Sequence, residues 1–394
     1  MNYIVIGLSN NPNFTLSNEV QSILPLHKVF SGGKRHYQLV KQLLPAGCQW
    51  LDIKGDMQQL IESYKVINET IIIFASGDPL FYGFAGTLQK FHPEASLQVY
   101  PHFNSLQLLY QKKNIAYQNS HNTSVHGRSW TELDEALMLQ KETIGVLTDG
   151  NKTPAAIAER LLDYNFDNYK MIIGEALEGS AEKITELTLE EVVQTQCNPL
   201  NCVALIQTHK KNKVFGIADA AFNGLENRPN MITKMPIRLV SLSQLDLANK
   251  NTLWDIGFCT ASVAIEAKKQ FPSLQIVAFE KREECDAVFE QNTRKHSAPG
   301  IQKVMADFFT LNLANYSLPD AIFIGGHGNK LKELIYKITP FLLPNGRLVI
   351  NAVKEESKSV FIETIQELNY HLHESIDLKV DEHNPITILT ATKT

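Results

Sequence analysis

The amino-acid sequence predicts an α/β protein with mostly parallel sheets, divided into more than one domain. Strand-like apolar runs alternate with helix-spaced segments along all 394 residues. Some runs, such as Thr70 to Ala75 (TIIIFA), are apolar throughout, the pattern of a strand covered on both faces. Thr252 to Glu280 reads as strand, tight turn, helix, strand. Asp255-Ile256-Gly257 closes its first strand and Glu280 ends its second. An acidic residue roughly 20 positions after such a turn is where a nucleotide-binding unit holds a ribose.

In chain order, Tyr3 to Ile6 is an apolar strand running into Gly7, and Thr15 caps a helix from Leu16 to Ile23. Val29-Phe30 meets Gly32-Gly33-Lys34-Arg35-His36, a glycine hinge followed by basic groups. Residues 37–44 are helical. The TIIIFA strand enters Ser76-Gly77-Asp78-Pro79, Gly83 to Phe91 is a helix, and Leu97 to Tyr100 is a strand. Asn104 to Gln111 is a helix, and Val125 to Arg128 is a strand-end loop. Thr143 to Leu147 enters Thr148-Asp149-Gly150, and Thr153-Pro154 starts a helix. Tyr169 to Ile173 and Cys202 to Ile206 are strands. The polar run Thr208 to Lys213 is the natural linker. Beyond it come a helix (Pro236 to Leu245), the Leu253 unit, a helix (Glu283 to Lys295) and a strand ending near Asp307. Ala321 to Ile324 enters Gly325-Gly326, Leu331 to Leu342 is a helix, and Arg347 to Ala352 and Thr387 to Thr390 are strands.

A chain of 394 residues with 44% hydrophobic and 20% charged content has material for two or three packed cores. A net charge of −5 argues against general nucleic-acid binding. The five cysteines show no CxxC pair and no metal-ligand spacing, which suits reduced thiols in the cytoplasm. No window reaches the roughly 18 apolar residues of a membrane span, and the opening MNYIVIGLS reads as a strand rather than an export signal.

Ligands of open α/β sheets sit at the carboxyl ends of strands. That rule gathers Asp255, Gly257, Glu280, Asp307 and Gly325-Gly326 into one crevice. Glu280 suits ribose hydroxyls and Asp307 an adenine amino group. In the first half, Arg35 within GGKRH offers a planar fork to a carboxylate, and His126 and Arg128 flank Gly127 similarly. Thr233-Lys234 puts a donor and a cation just before the crevice. Each of these, taken alone, is also an ordinary turn or a solvated loop. Ser/His/Asp order, P-loop and zinc spacing are all missing.

Together the stretches resemble the bifunctional precorrin-6Y C5,15-methyltransferases (decarboxylating) of cobalamin biosynthesis, over nearly the whole chain. FSGGKRH (30–36), ASGDPLFYG (75–83), VHGR (125–128), VLTDGNKTPAAIA (146–158) and GEALEG (174–179) resemble the amino-terminal half of that family. ADAAF (218–222), MITK (231–234), LWDIG (253–257), SVAIEA (262–267), FIGGHGN (323–329) and RLVINAV (347–353) resemble its carboxy-terminal half.

The resemblance implies a two-lobed tetrapyrrole-methylase domain over residues 1–208, with lobes of about 1–101 and 102–208. A linker (209–225) and a Rossmann-like S-adenosylmethionine-dependent methyltransferase and decarboxylase domain (226–394) follow. It implies two S-adenosylmethionine sites. The first uses Gly77, Asp78, Pro79, Asn104, Ser105, Thr148, Asp149, Ala176 and Leu177; the second uses Asp255, Gly257, Glu280, Asp307 and Gly325. Lys34, Arg35, His36, His126, Arg128, Thr233, Lys234 and His327 fall on the substrate side. The implied reaction methylates C5 and C15 of a precorrin-6 type ring and removes the ring-C acetate carboxyl. No catalytic side chain is singled out. The expected enzyme is cytoplasmic and homo-oligomeric, with a small tetrapyrrole partner, no nucleic acid, no membrane and no metal of its own.

Two stretches depart from the family's glycine-rich pattern, Gly7 to Asn11 and Gly257-Phe258-Cys259-Thr260-Ala261. The Ala261 methyl is expected beside the cofactor and accommodated by a small shift. The alternative is an active amino-terminal methylase with a carboxy-terminal domain that is a weak catalyst or a corrinoid-binding module. A NAD-linked oxidoreductase would also use Glu280 on a ribose.

Overall fold

The structure is a computed structural model and describes residues 2–228, 230–380 and 385–394. The chain forms two compact units. One comprises Met1–Ser129, Lys141–Glu159 and Tyr169–Thr208; the other Trp130–Gln140, Arg160–Asn168 and His209–Thr394. The second unit therefore takes in two segments from the stretch read as the amino-terminal half.

In the first unit, Asn2–Leu8 (β1), Val29–Gly32 (β2), Gln49–Asp52 (β3), Ile71–Ser76 (β4) and Ser96–Tyr100 (β5) form a parallel sheet in the order β3-β2-β4-β1-β5. Helices between successive strands return the chain to the same edge, as parallel pairing requires. β4 is the TIIIFA run. Ile71 and Ile73 pack with Tyr3 and Val5 on one face, while Ile72 and Phe74 pack with Ile4, Ile6 and Phe30 on the other. Burial of each such side chain contributes about 1.5–3 kcal/mol, which is why the continuous apolar run was legible as a central strand. The first helix is Asn18–Ile23, capped by Ser17, whose side chain accepts from the Val20 amide, rather than by Thr15.

His121–Ser124 (β6), Thr143–Leu147 (β7), Tyr169–Glu175 (β8), Lys183–Thr188 (β9) and Asn201–Gln207 (β10) form a second sheet in the order β6-β7-β10-β8-β9. Only β6 and β7 are parallel; the other pairs are antiparallel, which makes this sheet the exception in a fold of mostly parallel sheets. The reason is chain length. The turn from β8 to β9 (residues 176–182) is too short for a crossover, which takes a dozen or more residues. β9, KITELT, carries mixed polar residues and gave no apolar signal.

In the second unit, Thr252–Ile256 (β11), Gln275–Glu280 (β12), Ile301–Met305 (β13), Ala321–Ile324 (β14) and Arg347–Ala352 (β15) run parallel in the order β13-β12-β11-β14-β15. His371–Leu372 (β16), Ile376–Leu378 (β17) and Ile386–Thr392 (β18) follow, with β18 antiparallel to β15. β11 is buried at every position. Trp254 and Ile256 pack on one face with Phe279 and Leu348, and Leu253 packs on the other with Val263 and Phe323. The two segments from earlier in the chain are joined by a bidentate pair, Arg160 donating to Asp134 at 2.8 and 2.6 Å.

Both parallel sheets reverse winding direction between neighbouring strands, at β1/β4 and at β11/β14. Such switch points leave a crevice outside the carboxyl ends of the strands.

Candidate functional site

At the first switch point the Gly77 amide donates to Leu8 O at 3.0 Å, tying the ends of β4 and β1 together. Gly77 has φ +59°, and a Cβ there would stand 2.9 Å from the Asn104 Cα, so only glycine fits. Above it opens a cleft of about 1280 Å³. Among the predicted cofactor residues, Gly77, Asp78, Asn104, Ser105, Thr148 and Leu177 line it; Arg35, His36, His126 and Arg128 line it from the predicted substrate side.

The other residues predicted for this half stand elsewhere. Lys34 is exposed at the start of its helix. Pro79 is buried, and its carbonyl accepts from the Ala85 amide at 3.0 Å. Ala176 is buried at φ 43°. Asp149 staples its own turn, accepting from the amides of Lys152, Gly127 and Asn151 at 2.6, 2.9 and 2.8 Å. Those amides, Lys152 first, draw its carboxyl down to about 2. The Asn104 side chain accepts from the Gln107 amide at 2.9 Å and so also caps a helix. The departing Gly7–Asn11 stretch supplies polar groups to the cleft. Ser9 donates to Glu178, which His102 approaches at 3.3 Å, and Arg35 donates to Asn10 at 3.0 Å. Glu178 lies in the GEALEG stretch and Ser9 in the departing loop, but nothing in the sequence pairs them with each other or with His102, because loops distant in the chain bring them together.

At the second switch point the amides of Gly325 and Gly326 donate to Ile256 O at 2.8 and 3.2 Å. Gly257 has φ +82°, and a Cβ there would stand 2.8 Å from the Gly326 nitrogen. The cavity here is about 620 Å³. All the residues predicted for this half line it: Thr233, Lys234, Asp255, Gly257, Glu280, Asp307, Gly325 and His327.

Asp255 is 1% exposed, and neither carboxylate oxygen has a hydrogen-bond partner among the described residues. Burial, opposed by the nearby Ala264 amide and reinforced to a lesser degree by Glu280, pushes its carboxyl up to about 7. A buried acceptor with no partner is costly, and a ligand donor reaching into the cavity would satisfy it. Glu280 is the opposite case. It accepts from the Cys259, Lys281 and Arg282 amides and from the Arg282 side chain, with Nε at 3.0 Å. Burial resists its charge, but these donors, Arg282 foremost, hold the carboxyl below its ordinary range. Arg282 is the residue that sequence reasoning missed here; a ribose diol would share Glu280 with it. Asp307 is exposed and caps the short turn Phe308–Thr310 through the Phe309 amide at 3.0 Å. His327 has its Nδ1 buried with no partner among the described residues, and burial, with Lys354 nearby, lowers its pKa.

Thr233 and Lys234 are positioned from behind. Fully buried Arg238 donates to Thr233 O at 2.9 Å, to Asp219 at 3.4 Å and to equally buried Glu266 at 3.3 Å. Lys234 meets the same Asp219 at 3.9 Å. The ADAAF, MITK and SVAIEA stretches are thus three parts of one ionic support. The second departing turn also takes definite form. Cys259 and Ala261 both have positive φ, at 50° and 59°. The Ala261 methyl is fully buried with Phe258, Ile265 and Phe289 in the core, and Ala261 does not line the cavity. With this αL backbone the Ala261 methyl packs into the core rather than onto the cavity wall.

A family model described as tetrapyrrole (corrin/porphyrin) methylases matches residues 26–193, and one described as precorrin methyltransferase domain matches residues 226–393. A precorrin-6Y C(5,15)-methyltransferase (decarboxylating) of Sinorhizobium sp is 27% identical over 361 residues, 91% of this chain and 86% of the relative. One from Mycobacterium tuberculosis is 25% identical over 375 residues, 94% of this chain and 92% of its own length. A probable cobalt-precorrin-6B C(15)-methyltransferase (decarboxylating) of Thermoplasma volcanium is 32% identical over 164 residues, 41% of this chain and 80% of the relative.

Proposed function

The chain belongs to the precorrin-6Y C5,15-methyltransferases (decarboxylating), enzymes of cobalamin biosynthesis, and from that premise we propose how its two crevices divide the work. Methyltransferases of this family use S-adenosylmethionine, and the proposal gives this chain two sites for it. The observation that carries the reading is the repetition of one device. Each unit has a crevice at a switch point of a parallel sheet, closed by a glycine at positive φ that lets backbone approach a ligand. The proposed division is a methylase domain over residues 1–208 and a methyltransferase and decarboxylase domain over 226–394; residues 209–225, expected as a linker, instead belong to the second compact unit, where Ile217, Phe222 and Leu225 are buried with Phe258.

The residues present suit the cofactor. In the second crevice the Asp255 carboxylate, without a partner among the described residues, the Gly257 turn, Glu280 and Asp307 line one cavity and would take an amino acid moiety, a ribose and an adenine. In the first, Gly77, Asp78, Asn104, Ser105, Thr148 and Leu177 would hold the second molecule. When bound, S-adenosylmethionine supplies an electrophilic methyl on a sulfonium. The chain's own part is placement in line with the ring carbon and exclusion of water. The substrate class is a tetrapyrrole ring with a carboxylate edge, and the first cleft suits it. Exposed Leu80, Tyr82, Phe103 and Leu200 line that cleft, with Arg35 and Arg128 among them. In the second crevice Lys234, Lys281 and Lys330 offer cations at the rim. The conjugated ring itself accepts the electron pair released on decarboxylation, so no catalytic triad is needed.

A carboxy-terminal module that only binds corrinoid is not favoured, since the Thermoplasma volcanium relative is named as a decarboxylating C15 enzyme. A cytoplasmic homo-oligomer remains part of the proposal and rests on the resemblance alone. The test is mass spectrometry of the product from a precorrin-6 type acid and S-adenosylmethionine. Two added methyls and one lost carboxyl are expected. One added methyl without loss of carbon dioxide would remove the second crevice from the reading.

A further inference from the structure

We propose that Ser76 and Arg35 form a preorganised receptor for one peripheral carboxylate of the substrate in the first cleft; this rests on the tetrapyrrole reading. Ser76 ends β4 directly before the Gly77 turn, and its side chain is exposed in the cleft. Its oxygen receives an N–H from Arg35 Nη2 at 2.6 Å and another from His36 Nε2 at 2.9 Å. The direction of the histidine bond is fixed by the backbone. The Gly33 amide donates to His36 Nδ1 at 3.2 Å, so Nδ1 is the acceptor and the proton sits on Nε2. Burial, with the Arg35 charge adding to it, lowers the His36 pKa to about 4, so the ring is neutral in ordinary buffers.

The consequence for Ser76 is geometric. A hydroxyl has two acceptor lone pairs and one donor proton. Both lone pairs are engaged, so the hydroxyl can only donate, and among the described residues nothing receives its proton. Arg35 is pinned at its other arm. Asn10 Nδ2 donates to Leu177 O at 3.4 Å, which turns Asn10 Oδ1 toward Arg35 Nη1 at 3.0 Å. Both acceptors of Arg35 are neutral, and no carboxylate among the described residues pairs with it. A held guanidinium without a counter-charge stands beside a hydroxyl forced to donate, both facing one cleft. A carboxylate is the acceptor-only group that satisfies both. An ammonium would be repelled, and a ketone would leave the guanidinium charge unpaired.

The experiment pairs kinetics with direct binding on the full chain. For Ser76→Ala and Arg35→Lys, the KM for a precorrin-6 type acid is expected to rise about tenfold or more, the range for one hydrogen bond to a charged group. kcat and the affinity for S-adenosylmethionine should stay within about threefold, and Ser76→Thr should restore KM. In parallel, uroporphyrin III, an octacarboxylate, is titrated by fluorescence against its octamethyl ester. The acid should bind the wild type about tenfold better than Ser76→Ala, while the ester should not distinguish them. Unchanged KM in both variants with a turning-over wild type would overturn the receptor and leave the function standing. No methyl transfer by the wild type, with acid binding still lost in Ser76→Ala, would overturn the function and leave the receptor. Equal binding of acid and ester, or no binding of the acid, overturns the receptor. Ser76 is exposed, so folding of its variants is expected; should Ser76→Ala misfold, Arg35→Lys decides alone.

Discussion

The crevice at β1/β4 and the crevice at β11/β14 occupy the same place in two parallel sheets and differ in how their charged groups are partnered. The first presents donors, Arg35, the Ser76 hydroxyl and Arg128, and among the described residues no carboxylate pairs with Arg35. The second presents acceptors in two conditions, Asp255 buried with no partner among the described residues and Glu280 already accepting from its own chain. One fold-level device, a glycine turn at a switch point, thus fixes where a ligand binds but not its charge. The charge is set by residues arriving from other loops.

The largest expected effect separates the two directly. Asp255 has its pKa raised from 3.8 to about 7. Between those values the folded protein keeps a proton that the unfolded chain has lost, so this group's contribution to stability falls as pH rises and levels off above about 7. A shift of this size is worth on the order of 4 kcal/mol at high pH. Asp255→Asn should therefore gain about 3 kcal/mol relative to wild type between pH 5 and pH 8 in urea unfolding. A constant difference between the two proteins would show that the carboxylate is solvated. The first crevice has no equivalent, since neither Asp78 nor Glu178 is buried.

Next come the glycines. Gly77→Ala and Gly257→Ala each place a methyl within 3 Å of backbone, at a φ that disfavours alanine. By calorimetry the full chain should bind two S-adenosylmethionine molecules, and each variant should lose about 100-fold in affinity at one site only, roughly 2.7 kcal/mol. Loss of both sites from either change would mean the crevices are coupled rather than parallel.

The smallest effect concerns the αL turn. Ala261→Gly relieves about 1–2 kcal/mol of backbone strain but removes a buried methyl worth roughly 1 kcal/mol. Stability should move by less than about 1 kcal/mol and cofactor affinity by less than about threefold. A tenfold gain in affinity would return the methyl to the cofactor's side of the turn.

Much of this was legible because it is local. The TIIIFA run is a buried strand because β-branched residues covered on both faces need no alternation. Asp255, Gly257, Glu280 and Gly325 share a crevice because strand ends of a parallel sheet share one edge. What stayed hidden is what the chain brings from afar or turns with its backbone. β9 lacks an apolar signal and its pairing is antiparallel because the preceding turn is short. Asp149 looked like a cofactor contact, yet three amides of its own neighbourhood claim it. Arg282 stands two residues from Glu280, but nothing in that spacing says the two side chains meet.

The sequence by itself determined the α/β class, the two crevices and the family, because periodicity, glycine turns and long ordered stretches are properties of neighbouring residues. Tertiary structure alone decided which lone pairs and charges are already spoken for. That Ser76 can only donate, that among the described residues Arg35 has no counter-charge and Asp255 no partner, and that Ala261 faces the core all depend on burial and on partners from distant loops. Desolvation and hydrogen bonding act through space, and the order of residues along the chain does not record them.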